Sequence, residues 1–172
     1  NFTKVKKDLK KHKGEIFYDT RFDKILFMCK DIAAGMEHIT SLNIVHRDLA
    51  TRNILLHDDG KSTYCKVADF GLSRILDKNK IHIGKSGELL PWRWLSPEIL
   101  DKKIFTEKSD VWSYGCSIYE ILEQGKEPYW FDKRTSPREI YTDIRLYKIH
   151  LKLPENIEIL NINMKLKYGQ LW

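Results

Sequence analysis

Apolar side chains recur at helical spacing early in the chain, at Phe22, Ile25, Leu26, Cys29, Ile32, Ala33, Met36 and Ile39. That spacing is the stripe of an amphipathic helix, and Thr20-Arg21-Phe22-Asp23 has the form of its capping-box start. The period then changes. Ile54-Leu55-Leu56 and Tyr64-Cys65-Lys66-Val67-Ala68 are short apolar-rich runs flanking the polar turn cluster Asp58-Asp59-Gly60-Lys61, which predicts a β-hairpin. A further helix is expected from Asp110 to about Glu123, with Val111, Trp112, Tyr114, Ile118, Tyr119, Ile121 and Leu122 around most of its circumference, the pattern of a buried central helix. Ser136-Pro137-Arg138-Glu139 provides a cap, a first-position proline and a third-position glutamate for another. Residues 1–19 read as a lysine-rich helix and a loop, residues 151–156 as a connection, and the remainder as a last helix ending near Trp172. The pattern is mainly α with a small β-hairpin.

With 172 residues and 42% hydrophobic content, the chain is large enough for one compact domain with its own core. A net charge of +6 raises the question of nucleic acid. Much of the excess lies in Lys4, Lys6, Lys7, Lys10, Lys11 and Lys13, which fit the solvated face of a helix; no nucleic-acid motif accompanies them. Cys29, Cys65 and Cys116 are scattered and odd in number, which argues against a disulfide framework or a zinc site and for a reducing compartment. No signal peptide or apolar run of membrane-spanning length is present. A cytoplasmic location is expected, either free or as the intracellular part of a membrane receptor.

The candidate chemistry lies in His46-Arg47-Asp48-Leu49-Ala50-Thr51-Arg52-Asn53, followed across the hairpin by Asp69-Phe70-Gly71. Either piece alone is an ordinary charged loop or turn. In this order and spacing they have the form H-R-D-L-x-x-x-N then D-F-G. Further on come Pro91-Trp92-Arg93-Trp94-Leu95, Ser96-Pro97-Glu98, Asp110-Val111-Trp112-Ser113-Tyr114-Gly115 and Gly125-Lys126-Glu127-Pro128-Tyr129. With these the chain resembles the protein kinase family, and its details resemble the tyrosine-kinase branch. Ala50 stands where serine/threonine kinases usually carry Lys, and Arg52 stands where many tyrosine kinases carry Arg.

The resemblance implies ATP and Mg2+ as cofactors and a protein tyrosine as acceptor. Asp48 would act as the base that orients the hydroxyl, with Arg52 balancing charge. Asn53 and Asp69 would hold the metal, and Leu55 would form the floor beneath the adenine. Pro91, Trp92, Arg93 and Trp94 would receive the substrate, although Trp92 and Trp94 also read as ordinary core aromatics. His46, Arg47, Phe70, Glu98 and Asp110 would be structural supports, Asp110 tying its helix to the His46-Arg47 backbone. The family's arginine partner for Glu98 has no counterpart here, which leaves Arg93 or another local cation to take that place. Arg47 is either a phosphate ligand or a packing residue.

Leu72 to Trp94 contains no tyrosine, only the hydroxyls of Ser73 and Ser86, so switching by tyrosine phosphorylation is not expected there. The 172 residues contain no G-x-G-x-x-G, no V-A-I-K-like strand lysine and no partner-helix glutamate. The expected fold is therefore a protein-kinase-like C-lobe of the two-lobed α+β family fold, with residues 1–172 a partial kinase domain. Such a piece alone is expected to be nearly inactive, and to need an N-lobe or a docking protein as partner. Two other readings stand beside this one: a truncated pseudokinase acting as an interaction module, and a serine/threonine-specific relative.

Overall fold

The computed structural model describes residues 18–60, 62–85, 87–130 and 136–151, with side chains from Lys24 onward. The lysine-rich stretch, the Thr20–Asp23 side chains, Ser86, the connection beyond Leu151 and the last helix lie outside the described residues. Helix α1 (Tyr18–Ser41) includes two residues ahead of the expected start at Thr20. Its buried line runs through Met28, Ile32, Met36 and Ile39. Leu26 and Ala33, expected on that line, are exposed instead. Leu26 and Met28 are both apolar, so spacing alone left the phase of the stripe open. The buried line packs on Leu49, Ile54, Cys65 and Ile121.

Among the described residues three two-stranded antiparallel ladders follow rather than the single expected hairpin. That hairpin is β2 (Ile54–Asp58) against β3 (Thr63–Val67), with Ile54 opposite Val67 and Asp58 opposite Thr63. The other two pair β1 (Ile44–Val45) with β4 (Arg74–Ile75) and β5 (His82–Ile83) with β6 (Ile104–Phe105). Each is two residues long, too short to leave a period in the sequence. Asp31 of α1 accepts the Cys65 N–H at 2.8 Å, fastening the hairpin to the helix.

Helices α2 (Pro97–Lys102), α3 (Glu107–Leu122) and α4 (Pro137–Arg145) complete the described elements. Helix α3 begins three residues before Asp110, where Thr106 caps it: Thr106 Oγ1 accepts the Lys108 N–H at 3.2 Å and Ser109 Oγ accepts the Thr106 N–H at 3.1 Å. Its burial also differs from expectation. Val111 is 60% exposed, whereas Ser109, Asp110, Ser113, Ser117 and Glu120 are buried. Small hydroxyl side chains let neighbouring loops come close and satisfy their carbonyls: Ser113 Oγ donates to Trp94 O at 2.8 Å. The second core cluster, beside α2 and α4, is built from Val45, Leu95, Ile99, Leu100, Phe105, Tyr129, Ile140 and Ile144.

Candidate active site

The loop after β1 is shaped by its backbone. Arg47 sits in the left-handed region at φ 71°, which is uncommon for a bulky residue and concentrates at functional sites. Buried Asp110, in the first turn of α3, holds that bend. One of its oxygens accepts the His46 N–H at 2.6 Å and the other accepts the Arg47 N–H at 3.1 Å. Burial pushes the Asp110 carboxyl above the usual range, and the two N–H bonds oppose that rise. The His46 ring spans two segments. Its Nε2 donates to the Ala68 carbonyl at 3.1 Å, which leaves Nδ1 to accept the Asp48 N–H at 3.3 Å. Phe70 packs beside it, with ring centroids 5.2 Å apart.

Asp48 lies between two donors. Arg52 pairs with one carboxylate oxygen and the Asn53 amide nitrogen donates to the other at 2.8 Å. The same nitrogen donates to the Asp48 carbonyl at 2.7 Å, so the Asn53 amide is oriented with its oxygen left to accept elsewhere. The Asn53 carbonyl accepts the Ala68 N–H at 2.9 Å, which brings the residue before Asp69 against both Asn53 and His46. Asp69 is exposed, with φ 63°, and its Oδ1 accepts the Gly71 N–H at 3.2 Å. A Cβ at Gly71 would stand 3.2 Å from that same oxygen, tighter than ordinary contact. Leu55 is 62% exposed on β2, opposite Lys66.

Asn53 and Asp69 offer hard oxygen donors, an amide and a carboxylate. Among the described residues no group of three or more His, Cys, Asp or Glu converges as a metal cage. A donor set of one carboxylate and one amide suits magnesium, which keeps water and phosphate in its shell, so the residues present fit that ion.

The segment expected to receive the substrate divides. Trp92–Trp94 forms one 3-10 turn behind half-buried Pro91. Trp94 is buried, and its ring lies 4.7 Å from the Arg52 guanidinium. Trp92 and Arg93 turn elsewhere. Trp92 meets Tyr141 of α4 edge-on at 6.3 Å. Arg93 stacks over Trp92 at 4.5 Å, donates to Pro128 O at 3.0 Å and lies 3.4 Å from the Glu127 carboxylate. Arg93 therefore does not serve Glu98, which makes no salt bridge among the described residues.

Two acids that the sequence did not single out matter here. The buried Arg47 guanidinium packs over Phe105 at 4.2 Å, donates to Leu72 O at 3.3 Å and pairs with Glu88. Glu120 on α3 is buried and accepts from Thr51 and Trp94. The available signals were slight: one acid within a basic loop, and one acid inside the apolar run Ile118–Leu122.

Comparison with known proteins shows which family the chain resembles. The family model described as protein tyrosine and serine/threonine kinase matches residues 2–164. Ephrin type-A receptor 3 of Danio rerio is 44% identical over 124 residues, 71% of this chain and 12% of that protein. Ephrin type-B receptor 5 of Gallus gallus is 44% identical over 110 residues, 62% of this chain and 11% of that protein. Ephrin type-B receptor 3 of Danio rerio is 44% identical over 117 residues, 65% of this chain and 23% of that protein. The chain thus spans under a quarter of the length of these relatives.

Proposed function

This chain belongs to the protein tyrosine and serine/threonine kinase family, and on that premise we propose that it carries the catalytic loop of an enzyme moving the ATP γ-phosphate to tyrosine hydroxyls of proteins. The observation that carries this is Asp48, held between Arg52 and Asn53 beside the strand end that presents Asp69. Phosphoryl transfer needs positioning and charge neutralisation more than covalent chemistry. Asp48 accepts the acceptor's proton and aims its oxygen; a carboxylate oxygen has lone pairs to spare beyond its present donors. Arg52 holds the carboxylate's orientation and balances its charge. Asn53 Oδ1 and Asp69 are the atoms that would hold Mg2+, which, when bound with ATP, neutralises phosphate charge.

Tyrosine as acceptor is supported by Ala50 and Arg52 in the loop and by the Pro91–Leu95 segment. Placement in the intracellular part of a membrane receptor is supported by relatives that are named as receptors. Among the described residues no helix is long and apolar enough to cross a membrane. Leu26 and Phe27 on α1, with Leu55 and Tyr64 on the adjoining hairpin, are exposed apolar surface, which supports a small lobe or docking protein as a covering partner.

The test is γ-phosphate transfer to matched tyrosine and serine peptides by the protein as its cells make it. Asp48→Asn should lower turnover by about 10²- to 10⁴-fold, with tyrosine the preferred acceptor. Equal turnover in the variant would refute the role of Asp48, and a serine preference would refute the acceptor.

A further inference from the structure

Glu120 lies far along α3 from the helix's start and has no direct contact with Asp48, yet its carboxylate is the meeting point of two functional segments. One oxygen accepts the Thr51 N–H at 3.0 Å and the Trp94 indole N–H at 2.7 Å; the other accepts the Thr51 hydroxyl at 2.8 Å. Thr51 belongs to the loop between Asp48 and Asn53, and Trp94 to the segment expected to receive the acceptor. All three partners donate, which is the set an ionised carboxylate accepts. Glu120 is 6% exposed, so these bonds form where water does not compete and where a lost partner is costly.

The connection continues outward. The Trp94 ring, fixed by its indole N–H, lies beneath the Arg52 guanidinium at 4.7 Å, and Arg52 pairs with Asp48. Arg52 is exposed and would sample many rotamers without a surface to lie on; an indole face is the strongest such surface for a guanidinium. From helix to base the order is Glu120, Trp94, Arg52, Asp48. Ser113, about two turns back on the same face of α3, adds a second tie by donating to Trp94 O at 2.8 Å.

We propose that Glu120 is a positioning residue for phosphoryl transfer: it sets the Trp94 ring and the Thr51 loop together, and so fixes where Arg52 holds Asp48 relative to the acceptor. The inference rests on the kinase reading above. It makes Trp94 a part of the acceptor-orienting apparatus as well as a core aromatic, and it couples the substrate segment to the base through one carboxylate. Misplacement of a catalytic group by about 1 Å costs on the order of 10²-fold in rate, which is the scale on which such a residue acts.

Glu120→Leu is the near-isosteric test, because it keeps the bulk and removes both acceptor oxygens; Glu120→Gln would keep every bond, since the Thr51 hydroxyl can turn to accept from an amide NH2. In the protein as its cells make it, with folding checked by circular dichroism, kcat should fall about 10- to 100-fold while KM for ATP stays within about twofold. Combined with Arg52→Ala, it should lower kcat no further than Arg52→Ala alone, because both act through one connection. If Glu120→Leu does not fold, Trp94→Phe takes its place: a smaller aromatic face remains for Arg52 and the indole N–H to Glu120 is lost, and the same pattern is expected. A kcat within about twofold of the parent, or effects that multiply in the double variant, overturns the proposal while leaving the kinase reading intact. Undiminished transfer by Asp48→Asn, or a parent protein that transfers no phosphate, removes that reading and this inference with it.

Discussion

The bend at Arg47 depends on a buried carboxylate that takes two backbone N–H groups at once. Asp110→Ala would strand both donors where water cannot reach them. Each stranded donor costs about 1–3 kcal/mol, so the urea midpoint should fall sharply, with Asp110→Asn, which keeps one acceptor oxygen, in between. An unchanged midpoint in Asp110→Ala would mean that the N–H groups find other partners. The same burial that raises the Asp110 carboxyl also acts on the thiols: Cys65 and Cys116 are each pushed up to about 12, by desolvation first. They are packing residues, not nucleophiles. At this scale the sequence was informative about Asp48, Asn53 and Asp69, because order and spacing within a short loop and a hairpin locate them. It was silent on Glu120 and Glu88, whose partners Thr51 and Arg47 lie 69 and 41 positions away.

Among the elements, the β2–β3 hairpin was legible because alternating runs meet at a polar turn, and α4 because cap, proline and glutamate coincide at its start. The central helix α3 was legible as a helix but not in its burial. Ser109, Ser113 and Ser117 look like a solvent face in sequence, yet they fill the space beneath two loops. The β5–β6 ladder carries its own pH dependence. Burial, with Arg47 and Arg74 nearby, holds His82 below the ordinary histidine value of 6.5, while Glu88 pulls it weakly upward. The unfolded chain therefore takes up a proton near that value that the folded chain resists. Stability from this group is present above about pH 6.5 and declines as pH falls through the ordinary value. Thermal midpoints between pH 7 and 5 should fall less steeply in His82→Gln than in the parent; parallel slopes would show that His82 does not titrate differently on folding.

Among the described residues three apolar clusters form around α3, whose buried residues mix polar side chains with Cys116, Tyr119 and Ile121, and the His46–Asn53 loop runs where the two larger clusters meet. Leu49 belongs to the α1 cluster and Val45 to the cluster beside α4, so the segment from β1 to Asp48 is anchored from both sides. That anchoring suits the phosphoryl transfer proposed above, whose rate comes from holding groups still. It also explains how a rim of exposed groups, Asp69 and Phe70 among them, is presented from a buried base.

The most direct measurement follows the metal. Manganese in place of magnesium, added with ATP to the isotope-labelled protein, broadens the magnetic resonances of nearby nuclei. The Asn53 side-chain amide and the backbone amides of Asp69 to Gly71 should broaden first and together, and Asp69→Asn should abolish the effect at the same concentration. Broadening centred elsewhere, with Asn53 and Asp69 left sharp, would contradict a single nucleotide-handling rim built from Asp48, Asn53 and Asp69.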